Sequence, residues 1–295
     1  MELSFPQYLL SKQTVDDRAL NRHVYESLAA LRLSSGPLSI IEVGGGIGTM
    51  VTRLLRLGFL CKAHYVLVDG MHQNIDYAAA WIPRWAAENG LGVECPAPCE
   101  LRLFDAVRDV RISLVHADVF DFVRRQPAPA DLLIAHAFLD LLPLPESLPK
   151  LFSLLKPQGL AWLTINFDGL TTLEPVLDPV LDAHIERLYH RTMDTRQTGG
   201  DSQSGRRLFG HLRAVGAELL AAGSSDWVVY PQSGRYHADE AYFLNFILHF
   251  FESSLTGHPE LDSAAFAGWL AARRSQVQRG ELVYLAHQVD FLVRV

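Results

Sequence analysis

Gly44, Gly45, Gly46 and Gly48 crowd one corner of this 295-residue chain, with Glu42 two residues before the first of them. Glycine at such a corner accepts positive φ and lets a ligand approach the main chain, and the amides opening the next helix then face that ligand. Glu42 discriminates between ligands: a carboxylate there repels a pyrophosphate and welcomes a cation, or a group offering amino and hydroxyl donors. A second acid, Asp69, ends the run HYVLVD at 69 − 48 = 21 residues past the last glycine. One carboxylate can accept from two vicinal hydroxyls at once, and nucleotide-binding βαβ units hold the ribose at the end of their second strand. Gly70 and Met71 then line the edge of the nucleoside. His136 follows the run ADLLIA. Its imidazole, with a pKa of about 6.5, is matched to taking a proton from a hydroxyl or a protonated amine near neutral pH.

Strands must deliver these groups to a common edge. Leu38, Ile40, Ile41 and Val43 read as a strand buried on both faces. Met50, Val51, Leu54, Leu55 and Leu57 fall at helical spacing, with Arg53 and Arg56 on the other side, so the corner is strand, glycine loop, helix. His64 to Asp69 is the second strand, and Asn74 to Asn89 is a helix that Pro83 should kink or end early. Residues 94–110 read as a hairpin insertion leading into a third strand, Arg111 to His116, after which Asp118 can cap a short helix. Asp131 to Ile134 is the fourth strand and AWLTINFD the fifth. In such sheets ligands bind beyond the carboxyl ends of strands near the switch in strand order, where His136 would stand. Ahead of the sheet, Thr14 to Leu33 reads as one helix capped by Thr14, with Asp16 and Asp17 at the positive end of its dipole. Behind it come an insertion over 167–207, helices over Tyr236 to Leu255 and Ser263 to Gln278, and a final strand over Glu281 to Val295.

The glycines miss the dinucleotide pattern G-x-G-x-x-G by one, because Thr49 stands where the third is required. The run EVGGGIG instead resembles the first motif of class I S-adenosylmethionine-dependent methyltransferases, and the resemblance spans about residues 36–230. It includes LPKLFSLLKPQGL, similar to the family's helix and L-K-P-G-G turn except that Gln158 replaces the first glycine. The resemblance implies one α/β domain over 1–295. Its fold would be a Rossmann-like doubly wound sheet of about seven strands, the last antiparallel, with helical additions and an N-terminal helical cap over 1–35. It implies S-adenosylmethionine as cofactor, held by Glu42, Gly44, Gly46, Gly48, Asp69, Gly70, Met71, Asp118, Val119 and His136, with Asp118 meeting the adenine amino group. The activity implied is methyl transfer to a small-molecule acceptor. A helix across the cofactor mouth would bring Tyr8, Arg18 or Asn21 to the ligand. The 167–207 insertion would cover the acceptor site, with Asn166 and Arg206 as substrate-binding candidates. Arg206 and Arg207 could equally be solvated helix residues. His136 is the catalytic candidate, either as base or as a loop-shaping residue beside the Ala135 main chain.

Composition narrows the alternatives. A hydrophobic content of 49% over 295 residues can build a large core. Lys+Arg 26 against Asp+Glu 33 leaves a net charge of −7, without the basic footprint of a nucleic-acid binder. No apolar run reaches about 18 residues and no signal peptide is read, so a cytoplasmic protein without membrane partners is expected. The partners expected are a small-molecule acceptor and, beyond it, at most a second copy of the chain. Cys95 and Cys99 lie in CPAPC with no further Cys or His nearby, so no metal is expected. Two other readings stay open: an NAD-dependent oxidoreductase, which Glu42 and Thr49 disfavour, and a non-catalytic nucleotide-binding protein.

Overall fold

The computed structural model describes residues 3–31, 36–125, 127–196 and 199–295; Leu33, the expected end of the N-terminal helix, lies outside them. Helices α1 (Phe5–Ser11), α2 (Gln13–Ala19) and α3 (Arg22–Ala29) precede β1 (Leu38–Val43), α4 (Thr49–Arg56), β2 (Lys62–Asp69) and α5 (His72–Glu88). The hairpin β3 (Gly92–Ala97) and β4 (Glu100–Phe104) leads to β5 (Asp109–His116), α6 (Val119–Arg124), β6 (Ala130–His136), α7 (Leu144–Phe152) and β7 (Leu155–Glu174). The chain ends with α8 (Pro179–Asp194), α9 (Ser204–Ala214), β8 (Glu218–Ser224), β9 (Trp227–Val229), α10 (Glu240–Leu255), α11 (Ser263–Gln278) and β10 (Val283–Arg294).

The apolar strands collect in the centre of one sheet, ordered β3-β4-β5-β2-β1-β6-β7-β10-β8, with β9 paired to β10. The five central strands, β5, β2, β1, β6 and β7, run parallel, and β10 is antiparallel to β7. This is the doubly wound arrangement, in which the order of successive strands reverses between β1 and β6 and opens a crevice at the carboxyl ends. Ten strands form among the described residues rather than about seven. The hairpin adds two at one edge, and β8 and β9 both lie along β10. The register aligns Val43 with Val68 and Ala135, and Asp69 with His116, so four strand ends open onto one crevice.

Helices cover both faces. Leu28, Leu54 and Ile82 belong to the core under α3, α4 and α5, and Phe122, Leu148 and Leu208 to the one under α6, α7 and α9. Burying each such side chain contributes roughly 1.5–3 kcal/mol. A third cluster, with Phe243, Phe251 and Trp269 fully inside it, packs α1, α2, α8, α10 and α11 over the extended ends of β7 and β10. The aromatic stripe of α10 is therefore core.

Several local expectations are corrected. The single helix from Thr14 is two helices, α2 and α3, because Asn21 turns extended, gives its backbone N–H to Asp290 and caps α3 through Val24 N–H. Helix α5 does not end at Pro83 but continues to Glu88, since its inward face, including Trp81, Ile82 and Ala86, is buried in the core against the sheet. That packing outweighs the one lost hydrogen bond. The fifth strand does not stop near Asp168. It runs to Glu174 because β10 pairs with it along that length.

Candidate functional site

A cavity of about 300 Å³ lies over the carboxyl ends of β1, β2, β5 and β6. Its floor is the glycine corner. Gly44, Gly46 and Gly48 all have positive φ, and a Cβ built on Gly44 would run into the Phe138 ring, so only glycine fits that position. The loop is tied to β2: Gly45 N–H donates to Val68 O at 3.0 Å and Gly46 N–H to Asp69 Oδ2 at 2.8 Å.

Of the expected cofactor residues, Glu42, Gly44, Gly46, Asp69, Gly70, Met71, Asp118, Val119 and His136 all line this cavity. Gly48 lies just behind it, as the residue before α4. Asp118 is exposed and caps α6 through Oδ1, which accepts from Phe120 N–H and Asp121 N–H. Asp69 is more occupied than expected. Besides Gly46 it accepts Met71 N–H at 2.8 Å and Asn74 Nδ2 at 3.0 Å, both on Oδ1. Sequence reasoning missed Asn74. Its Oδ1 is buried beside Asp69 without a partner and it lines the cavity, so a hydroxyl donor there would satisfy it. The signal was available: Asn74 is one helical turn beyond the Gly70–Met71 turn.

Glu42 is buried beneath the loop, accepting Tyr65 O–H at 2.7 Å. Burial pushes its carboxyl up to about 8, although the Tyr65 hydrogen bond and Arg53 oppose this. Its pKa in the fold thus stands above the ordinary 4.5, so the stability contributed by the protonated form is complete below 4.5 and lost as pH rises through about 8. Glu42→Gln should accordingly gain in melting temperature relative to the parent as pH is raised from 5 to 8, with the gap smallest at the acid end. Thermal unfolding across that range checks this, and a gap that does not change with pH would refute it.

His136 is buried in a network. Its Nε2 lies 3.0 Å from Asp16 Oδ2 and its Nδ1 2.8 Å from Thr164 Oγ1. Burial drives its pKa down to about 4 against the pull of Asp16, so at neutral pH the ring is neutral. That assigns Nε2–H as donor to Asp16 and Nδ1 as acceptor from Thr164. Both ring nitrogens are thus engaged inside the protein, by Asp16 and by Thr164. Asp16 also accepts Trp227 Nε1–H at 2.9 Å and faces Lys12 at 3.4 Å and Arg53 at 3.9 Å. Burial would raise its carboxyl, but Lys12, His136 and Arg53 prevail and hold it well below the carboxylate range. Arg53, placed by its spacing on the side of α4 away from the apolar stripe, is nonetheless buried and paired with Asp17.

The substrate candidates fall elsewhere. Tyr8 points away from the cavity into the aromatic core, its ring centroid 4.5 Å from Phe246. Asn166 is buried at a bulge between β7 and β10, where Nδ2 donates to Leu163 O and Val289 O. Arg206 is held by Asp168 at 2.8 Å. Arg18 pairs with Glu240, and Asn21 caps α3. No described residue of the 167–207 insertion lines this cavity. Ser202 and Ser204 are buried, bonded to Asp194 and Phe167 O respectively, whereas Phe5, Leu9 and Lys12 of the N-terminal segment, with Phe138, Leu141 and Leu142, wall the cavity. Thr198, at the start of the insertion's glycine-rich loop, lies outside the described residues. Cys61, Cys95 and Cys99 are free and exposed, and among the described residues no group of three or more His, Cys, Asp or Glu could hold a metal ion. Nor is any described helix long and apolar enough to cross a membrane.

No protein-family model matches the chain, and a search of curated proteins returns no match. Solved structures do resemble it. A candidate methyltransferase from Bacillus halodurans aligns over 93% of this chain and 99% of its own, at 12% identity and a TM-score of 0.50. A SAM-dependent methyltransferase from Thiobacillus denitrificans, in complex with S-adenosyl-L-homocysteine, covers 99% of both chains at 13% identity and a TM-score of 0.49. One from Geobacter sulfurreducens, also with that ligand, covers 99% of both at 10% identity and 0.46. The Bacillus halodurans likeness carries the fold, and at such identity the fold alone.

Proposed function

We propose that this chain transfers the methyl group of S-adenosylmethionine to a small-molecule acceptor. The observation that carries the reading is the row of acceptors along one cavity edge. Asp69 Oδ2 has one protein donor, Asn74 Oδ1 beside it has none, and Asp118 uses only Oδ1 to cap its helix. These suit two ribose hydroxyls, shared between Asp69 and Asn74, and an adenine amino group. The glycine corner lets the ligand lie close to the main chain, while Glu42 below it is protonated in the fold and so adds no charge preference to the pocket.

The cofactor, when bound, supplies a methyl group already activated on a sulfonium centre, so the work left to the protein is chiefly positioning and exclusion of water. Phe5, Leu9, Phe138, Leu141 and Leu142 provide the apolar wall that keeps water out. His136 acts as a positioning residue: it fixes the end of β6 against Asp16 and Thr164 and moves no proton. The net charge of −7 favours a small acceptor over nucleic acid, and three exposed free thiols fit a reducing cytoplasm.

Calorimetric titration with S-adenosylmethionine and with NAD tests the reading. S-adenosylmethionine is expected to bind with a Kd on the order of micromolar, about −8 kcal/mol, and NAD not to bind. Binding of NAD in preference would turn the assignment to an oxidoreductase.

A further inference from the structure

We infer that Lys12 recognises the carboxylate of the cofactor's methionine tail, making the pocket selective for an intact amino-acid end. The inference rests on the cofactor reading above and adds to it the residue that reads the end farthest from the base. Asp69 ends β2 and Asp118 follows β5, whereas His136 ends β6 on the other side of β1, and Lys12 reaches that side through Asp16, which it shares with His136. With the ribose at Asp69, the amino-acid tail falls toward β6 and Lys12.

Among the described residues that line the cavity, Lys12 is the only lysine or arginine. It is 6% exposed, at the junction of α1 and α2, and is steadied from behind by two features. Asp16 Oδ2 is 3.4 Å from Nζ, and the Trp227 ring lies under it at 5.3 Å. Neither exhausts an ammonium with three protons to give. Asp16 is shared among Lys12, Arg53, His136 and Trp227, so it neutralises Lys12 only in part. Counting the adjoining Asp17, which binds Arg53 and Arg56, three cations face two carboxylates there. A buried ammonium in such surplus favours an incoming anion, and a carboxylate placed at Lys12 would complete its coordination.

The test compares two probes, S-adenosylhomocysteine and 5′-methylthioadenosine, which lacks the amino-acid tail. Lys12→Met keeps the apolar stem and removes the charge. It should weaken S-adenosylhomocysteine by about tenfold to a hundredfold while changing methylthioadenosine by less than about threefold. Lys12→Arg, which restores the charge, should recover most of the loss and guards against a variant that simply folds badly. Equal loss for both probes, or no loss for S-adenosylhomocysteine, overturns the inference while leaving the cofactor reading intact. A parent that binds neither probe overturns both.

Discussion

Asp16→Ala should lower stability by roughly 3–5 kcal/mol, because it breaks a buried ion-pair network. The carboxylate has no solvent exposure and joins four elements: α2, which carries it, α4 through Arg53, β6 through His136 and β9 through Trp227. Removing it leaves the Trp227 N–H unpaired and Lys12 and Arg53 facing each other without their shared counter-charge. The penalty comes from groups stranded in a water-poor interior more than from any one lost contact. For a chain of this size the melting temperature should fall by on the order of 10 °C. Asp16→Asn keeps the shape and an acceptor for Trp227 and should lie between the two. Scanning calorimetry decides it, and an alanine variant melting within about 2 °C of the parent would show that the network contributes little.

The parts of this molecule legible in the sequence are those set by local pattern. The apolar run before Gly44, the helical spacing after it and the acid ending HYVLVD all act over a few residues, and β1, α4 and β2 stand where they predict. That Glu42, Asp69, Asp118 and His136 gather at one cavity was legible for the same reason, since each lies at or just beside a strand end. What periodicity cannot see is pairing between distant segments. Asp16 and Asp17 have the residue types of a helix start, yet they meet Arg53 and Arg56 more than thirty positions away. His136 looks like a free base until Asp16 and Thr164 occupy both its nitrogens. Arg206 looks free to bind a substrate until Asp168 takes it. The wall of the cavity was the least legible part, because it comes from the N-terminal segment and the loop after β6, and apolar side chains such as Leu9 and Phe138 carry no motif.

Asp69→Ala addresses the central claim, that this cavity holds the ribose of S-adenosylmethionine. The substitution removes the Oδ2 site proposed for a ribose hydroxyl and also the acceptor that fixes Gly46 N–H, and it frees Asn74 from its neighbour. Losing charge-assisted contacts of this kind costs roughly 2–3 kcal/mol, which corresponds to about a hundredfold in affinity. Because Asp69 also shapes the loop, the melting temperature of the variant is recorded alongside, and Asp69→Asn, which retains one acceptor oxygen, should bind between the two. The decisive measurement is the dissociation constant of S-adenosylhomocysteine, by calorimetry, for the parent and for Asp69→Ala at a temperature where both are folded. A micromolar parent with a variant weaker by about a hundredfold is the predicted result, and a variant that binds as tightly as the parent would contradict the account.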